Sequence, residues 1–198
     1  MAFGDFTYPE VADGLGLIVA ETDLFTGVVP LSPRAELLEA LRVGARLGLS
    51  VNTEKARSEF LIAPVLVEFH RITGEAFGLF SGVELVGDAS RGLIGYCDFI
   101  LTRSPRVLSL TAPLITIVEA KNDNLHNGLG QCIAAMVAAR LFNERHGSQA
   151  PVLFGLVTTG SAWKFLRLVD TALSIDRREY FINEVGHILA ILRSIMAP

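Results

Sequence analysis

The chain has few of the residues that mark a secreted, disulfide-bonded or zinc-binding protein. It contains two cysteines, Cys97 and Cys132, too few for a disulfide framework, so we expect reduced and buried thiols. Its four histidines are scattered without the spacing of metal-ligand pairs, which argues against a zinc enzyme. A Gly-rich phosphate loop, a nucleophile elbow and a dinucleotide fingerprint are also absent from the sequence.

Long apolar runs and an excess of basic charge are lacking as well. Charged or polar residues interrupt each apolar stretch well before the roughly 20 residues that a membrane-spanning helix needs. Segment 1–10 has no signal-peptide pattern, so we expect a cytoplasmic protein. With 17 basic and 21 acidic residues the formal charge is -4. That charge disfavours tight nonspecific binding to a polyanion, although a local basic rim would suffice for a nuclease.

The pattern of apolar residues predicts one α+β domain. The 198 residues, of which 51% are hydrophobic, suffice for one well-buried core, and no linker or repeat suggests a second. Apolar patterns bounded by turn residues predict strands at 79–86, 93–103 and 114–121, which we expect to form an antiparallel meander. The third is apolar on both faces until Glu119, as in a central covered strand. A helix beginning near residue 52, and kinked or broken at Pro64, should precede this meander. A helix starting at Asn124 or Asn127 and strands at 152–158 and 163–169 should follow it.

Segments on both sides of this core, which spans 52–169, are predicted to be additions to it. Segment 1–51 should supply a strand at 16–25 and a helix started by Ser32 and Pro33. Segment 170–198 should form one helix, since Asp176 and Glu179 have capping-box spacing. The apolar stripe of that helix suits either the core or the interface of a homodimer.

Two acidic residues and a lysine lie at the ends of the predicted strands. Asp98 lies in the second strand of the meander, and Glu119 and Lys121 end the third. Because strand side chains alternate between faces, Glu119 and Lys121 should point the same way, roughly 7 Å apart. If the strand carrying Asp98 lies alongside, the three groups can bind a divalent metal and orient a water molecule. The alternative is a structural salt bridge at the end of the sheet.

This triad resembles that of the PD-(D/E)xK nuclease superfamily, and the predicted order of elements, αβββαβ, is that of its restriction endonuclease-like core. The resemblance implies a nuclease that hydrolyses phosphodiester bonds, with DNA as the expected nucleic acid. It also implies Mg²⁺ or Mn²⁺ held by Asp98, Glu119 and the backbone carbonyl of Ala120, with Lys121 as the catalytic base or water-orienting group. One departure from the family pattern is Cys97, which stands where the superfamily has a proline.

Two further residues extend the resemblance towards the type I restriction enzyme nuclease-domain branch. Gln131 lies on the following helix, where several branches carry a glutamine that faces the active site; it could equally be a solvated residue. Glu54 matches the glutamate of the first helix, which contacts the metal or its water in that branch. Glu59 competes for this role, but the two face different sides of a helix, so only one can reach the site. Arg91, Arg103 and Arg106 could contact a nucleic-acid backbone or lie in solvated turns.

A second hypothesis is that the chain is a noncatalytic module of the same fold that binds a protein or nucleic-acid partner. The acidic net charge and the high apolar content support it. In that case Lys121 and the acidic residues would form structural ion pairs and take up no metal.

Overall fold

A computed structural model describes residues 2–105, 108–148 and 150–196. The chain forms an α+β domain with a mixed eight-stranded sheet flanked by helices. The strands are β1 (Ile18–Thr22), β2 (Gly78–Asp88), β3 (Leu93–Thr102), β4 (Leu114–Ala120), β5 (Val152–Thr158), β6 (Ala162–Val169), β7 (Ala172–Asp176) and β8 (Tyr180–Phe181). The helices are α1 (Glu10–Gly14), α2 (Ala35–Val51), α3 (Glu54–Arg57), α4 (Ala63–Ile72), α5 (His126–Arg145) and α6 (Val185–Met196).

The sheet has the strand order β1-β7-β6-β5-β4-β3-β2, with β8 paired to β6. Strands β2, β3 and β4 form the antiparallel meander predicted from the sequence. Helix α5 then crosses over to β5, which runs parallel to β4. The carboxyl ends of β4 and β5 therefore lie at one edge of the sheet, and β4 has a neighbour on both sides.

Apolar side chains form one cluster on each face of the sheet. Helix α5 covers one face, and α2, α4 and α6 cover the other. All seven residues of β4 are buried, as expected for a central strand covered on both faces. At Gly155 in β5 a Cβ atom would lie 2.4 Å from Met136 Sδ and 2.8 Å from Cys132 Sγ. A residue without a side chain is thus needed where α5 crosses the sheet.

Of the two outcomes expected at Pro64, a kink or a break, the break does not occur: the helical segment that precedes the meander is continuous through this proline. A π-helical turn, Ser58–Ile62, joins α3 to α4 directly before this proline. The amide of Ala63 donates to the carbonyl of Ser58 in this turn. Pro64 cannot donate a backbone hydrogen bond, and the wider turn accommodates it without ending the helix.

The start of α2 is later than predicted. The helix begins at Ala35, and its N-cap Arg34 provides no side-chain cap. Ser32 and Pro33 precede the helix in a segment without regular secondary structure, where the neighbouring Leu31 donates its amide to the carbonyl of Gly186 in α6. This contact fixes the segment against α6 and leaves the helix to begin after it.

The prediction of a single helix for 170–198 was wrong. This segment begins with β7 and β8, and α6 starts only at Val185. Asp176, the predicted helix cap, ends β7 and accepts hydrogen bonds from the amide of Arg178 and the hydroxyl of Tyr180. Leu173 and Ile175 alternate with Ala172 and Ser174 in the sequence, a pattern of apolar residues that is typical of a strand.

The additions at both ends of the predicted core belong to the same sheet. Strand β1 pairs in parallel with β7, so segment 1–51 and segment 170–198 extend one sheet together. The apolar stripe of α6, with Val185, Leu189 and Leu192, is buried in the core, so it does not supply a homodimer surface. None of the helices in the described part of the chain is long and apolar enough to cross a membrane.

Candidate functional site

Asp98 marks the point where the pairing of β3 with β4 ends. The last described pair at this end is Phe99 with Val118, and the same register would next place Asp98 opposite Glu119. Instead of backbone pairing, the Oδ2 atom of Asp98 accepts the amide of Ala120 at 2.7 Å. The bond fixes the Asp98 carboxylate against the end of β4 and uses one of its two oxygens.

Glu119 is completely buried in the central strand. Neither of its carboxylate oxygens accepts a hydrogen bond from a donor among the residues that the structure describes. Burial raises the pKa of Glu119 well above its usual range; the negative charge of Asp98 and a hydrogen bond between the two carboxyl groups raise it further, while Lys121 opposes these effects. Buried polar side chains in folded proteins are almost always satisfied, so a buried carboxyl group that accepts no hydrogen bond and lies against a second acid requires an explanation.

Lys121 lies beside the two acidic residues, with 14% of its side chain exposed. Its Nζ atom donates to Oε1 of Gln131 at 3.0 Å and lies 3.6 Å from Oε1 of Glu54. Its backbone amide donates to the carbonyl of Thr158 at 2.8 Å, which holds the end of β4 against β5. Gln131 is therefore turned towards the site and is not a solvated helix residue.

Glu54, and not Glu59, reaches the site. It lies in the first turn of α3, where the hydroxyl of Thr53 accepts the amide of Ala56 and caps the helix. Glu59 forms an exposed ion pair with Lys55 at 3.0 Å. The structure thus brings together all five residues singled out in the sequence: Glu54, Asp98, Glu119, Lys121 and Gln131.

Two features of the site were not anticipated from the sequence. A Cβ atom at Gly128 would lie 2.5 Å from Val157 Cγ1 and 3.1 Å from Lys121 Cγ, so this glycine lets α5 approach the lysine stem. The guanidinium of Arg57 donates to the carbonyl of Thr159 at 2.7 Å and ties α3 to the turn between β5 and β6. Neither contact has a local sequence signal, since each joins distant parts of the chain.

The other candidates lie outside this group. Arg91 lines a cavity that also contains Asp5 and Glu10, and Arg103 lies near Phe77 beyond the opposite end of β4. Arg106 lies outside the described residues. Cys97 and Cys132 are free and buried, as expected, and burial raises the pKa of both thiols.

The carboxylates at the end of β4 are possible ligands for a divalent cation. Within 2–105, 108–148 and 150–196, no three His, Cys, Asp or Glu residues lie close enough together to hold a metal by themselves. Two carboxylates, from Asp98 and Glu119, are adjacent at the end of β4. Mg²⁺ is usually held by one or two carboxylates, with water and substrate phosphate completing its coordination. The unpaired oxygens of Glu119 and this small donor set therefore fit Mg²⁺, and they do not fit a fully protein-enclosed metal.

No protein-family model, curated protein or solved structure matches this chain. The interpretation of the site therefore depends on its geometry and chemistry alone.

Proposed function

We propose that this protein is a Mg²⁺- or Mn²⁺-dependent nuclease that hydrolyses phosphodiester bonds, with DNA as its substrate. We further propose that its fold has a restriction endonuclease-like core, nearest to the type I restriction enzyme nuclease-domain branch. The order helix, three antiparallel strands, helix, parallel strand over Glu54–Thr158 supports this assignment. The positions of Asp98, Glu119 and Lys121 within that order support it as well.

The observation that carries the proposal is the buried carboxyl group of Glu119, which accepts no hydrogen bond from the described residues and lies against the carboxyl group of Asp98. A buried polar group without a partner costs about 1–3 kcal/mol, and more when it is charged. Asp98, the nearest acidic residue, increases that cost because it disfavours the charged form of Glu119. A structural salt bridge would place a cation on Glu119, yet the amine of Lys121 contacts Gln131 and Glu54. A metal cation bound between Glu119 and Asp98 would supply the positive charge that the two carboxyl groups lack.

In this proposal the metal is held by Asp98, Glu119 and the carbonyl of Ala120, with Glu54 contacting the metal or its water. A divalent cation bound there would stabilise negative charge on a phosphoryl oxygen. Glu54 lies on the open side of the site, with about half of its side chain exposed (51%). In this proposal a polymer approaches over Glu54, the exposed member of the site, whereas Glu119 is fully buried.

Lys121 is positioned to act on the attacking water or on the phosphate. The carbonyl oxygen of Gln131 accepts a hydrogen bond from its ammonium group, and Oε1 of Glu54 lies 3.6 Å from the same nitrogen. Held in this way, Lys121 can orient a water by hydrogen bonding and stabilise charge that develops on the phosphate. Gln131 fixes the direction of the amine without adding a charge.

The proposal is tested by incubating the purified protein with plasmid DNA, single-stranded DNA and RNA, with Mg²⁺ or Mn²⁺. The wild-type protein is expected to cleave DNA, and Lys121→Ala should reduce the rate about 10²–10⁴-fold. Lys55→Ala is the matched control, since this lysine is 81% exposed and forms a surface ion pair with Glu59. The proposal fails if no substrate is cut with either metal, or if both variants cut equally fast.

A noncatalytic binding module remains the second candidate, supported by an exposed apolar stripe on α2. Val43, Leu47 and Val51 are 44%, 46% and 59% exposed, and residues at this spacing lie along one helix face. A homodimer or a partner could use this surface. Calorimetric titration with Mn²⁺ discriminates between the candidates, because metal uptake lost in Asp98→Asn and Glu119→Gln favours the nuclease.

A further inference from the structure

A cavity of about 220 Å³ lies beside the first turn of α5. It is on the sheet face that carries Glu119. Glu119 pairs with Val157, and Val157 pairs with Lys164, which lines the cavity. Directly paired residues of neighbouring strands point to the same face. Because strands are spaced roughly 4.8 Å apart, Lys164 on β6 lies two strands, or about 10 Å, from Glu119 on β4.

The walls of this cavity suit a flat ring. The rings of Tyr8 and His126 meet edge to face, with their centroids 5.8 Å apart. Leu125, Leu129 and Ile175 supply apolar surface. The volume is below the roughly 300–1,000 Å³ of cavities for drug-sized ligands, which suits one ring system.

The polar groups of the cavity are better matched to a base than to a phosphate. Glu21 and Glu179 contribute two carboxylates, and Lys164 contributes one ammonium. Two carboxylates repel a phosphate, but they accept hydrogen bonds from amino groups. Exocyclic amino groups occur on adenine, cytosine and guanine and are absent from thymine.

We propose that this cavity binds an unpaired nucleobase that flanks the phosphodiester bond to be cut. The inference deepens the proposed nuclease function and depends on it. It makes the substrate a single strand, a flap or a frayed end, because a base inside a duplex is stacked and paired and cannot enter. The net charge of -4 agrees with this substrate, since one stacked base contributes binding free energy without a long basic track.

Binding is measured with an eight-nucleotide single strand that carries 2-aminopurine, in EDTA so that no strand is cut. Stacking of the fluorescent base in the cavity should change its emission saturably. Tyr8→Leu should weaken binding about fivefold or more, since one base–aromatic stack contributes about 1–3 kcal/mol. Glu179→Gln should reduce the preference for an amino-bearing base over thymine.

Matched controls lie on β2 and β3. Tyr96→Leu removes another tyrosine, 68% exposed, and Glu84→Gln removes an exposed carboxylate on the neighbouring strand. Both controls should bind as the wild type does. The inference is overturned if emission does not saturate, or if Tyr8→Leu and Tyr96→Leu bind equally well.

Cleavage assays separate this inference from the nuclease proposal. With Mg²⁺ or Mn²⁺, a flapped or single-stranded substrate should be cut faster than a blunt duplex of the same sequence. Equal rates would overturn the base-binding inference and leave the nuclease proposal intact. Saturable binding of 2-aminopurine that is lost in Tyr8→Leu, without cleavage of any substrate, would refute the nuclease and retain the cavity as a base-binding site.

Discussion

Replacing Glu119 by glutamine should stabilise the metal-free protein at neutral and alkaline pH. The substitution preserves the shape of the side chain and removes an acidic group whose charged form accepts no hydrogen bond from the described residues. At pH 8 the free energy of unfolding should rise by about 1–3 kcal/mol, the usual cost of an unsatisfied buried group. For a domain of this size, that corresponds to a rise in Tm of about 2–4 °C per kcal/mol.

The difference in unfolding free energy between the wild type and Glu119→Gln should depend on pH. The pKa of Glu119 is raised in the folded protein above its ordinary value of 4.5. Between these two pKa values the folded protein keeps a proton that the unfolded chain releases. Wild-type stability relative to Glu119→Gln should therefore fall by about 1.4 kcal/mol per pH unit as the pH rises through this window. Below pH 4.5 the charge-dependent part of the difference should disappear.

The assay is urea denaturation followed by circular dichroism, in EDTA, at several pH values between 4 and 8. Glu59→Gln is the control, because this residue is exposed and ion-paired and should show no comparable trend. A Glu119→Gln variant that is less stable than the wild type at every pH would refute the reasoning. It would mean that the carboxyl group has a stabilising partner in the folded protein.

Bound metal should make the wild type more stable than Glu119→Gln. Mg²⁺ at about 100 times its Kd should stabilise the wild type by about 2.7 kcal/mol, and it should have little effect on Glu119→Gln. Since Glu119 must lose its proton to bind a cation, metal affinity should increase with pH. Equal stabilisation of both proteins by Mg²⁺ would place the metal elsewhere.

Three further substitutions test the surroundings of the lysine. Glu54→Gln should lower the cleavage rate about 10–100-fold, whereas Glu59→Gln should leave it unchanged; equal rates would remove Glu54 from the site. Gln131→Leu should lower kcat about tenfold, since it deletes one hydrogen bond to the Lys121 ammonium; an unchanged kcat would show that this bond does not orient the amine. Gly128→Ala should lower the free energy of unfolding by about 1–3 kcal/mol through overpacking, measured by urea denaturation, and unaltered stability would contradict the close approach of α5.

Local patterns in the sequence were sufficient for the elements that carry the site. The apolar patterns around Asp98 and before Glu119 predicted the antiparallel meander, and the helical spacing of the apolar residues that follow predicted α5. Because side chains alternate between the two faces of a strand, Glu119 and Lys121 were expected on one face. These inferences depend on the period of side chains along a single element, which the sequence contains directly.

The predictions were weakest where distant segments compete. Asp176 has the spacing of a helix cap, yet it ends β7, because that strand pairs with both β1 and β6. Ser32 and Pro33 have the chemistry of a helix start, yet the hydrogen bond of Leu31 to Gly186 in α6 fixes the chain beside them, and the helix begins only at Ala35. In both cases hydrogen bonds to remote segments override a local preference.

The amino-acid sequence by itself determined which residues could carry the chemistry: an aspartate and a glutamate on neighbouring strands, with a lysine two residues after the glutamate. Only the tertiary structure decided that Glu54 reaches this lysine, that Gln131 accepts a hydrogen bond from it, and that Glu119 is buried without a hydrogen-bond donor among the described residues. The physical reason is that side-chain periodicity is set within one element. Burial and pairing are set by the packing of elements far apart in the chain, where close approaches such as that of Gly128 to β5 are possible only after the whole fold has formed.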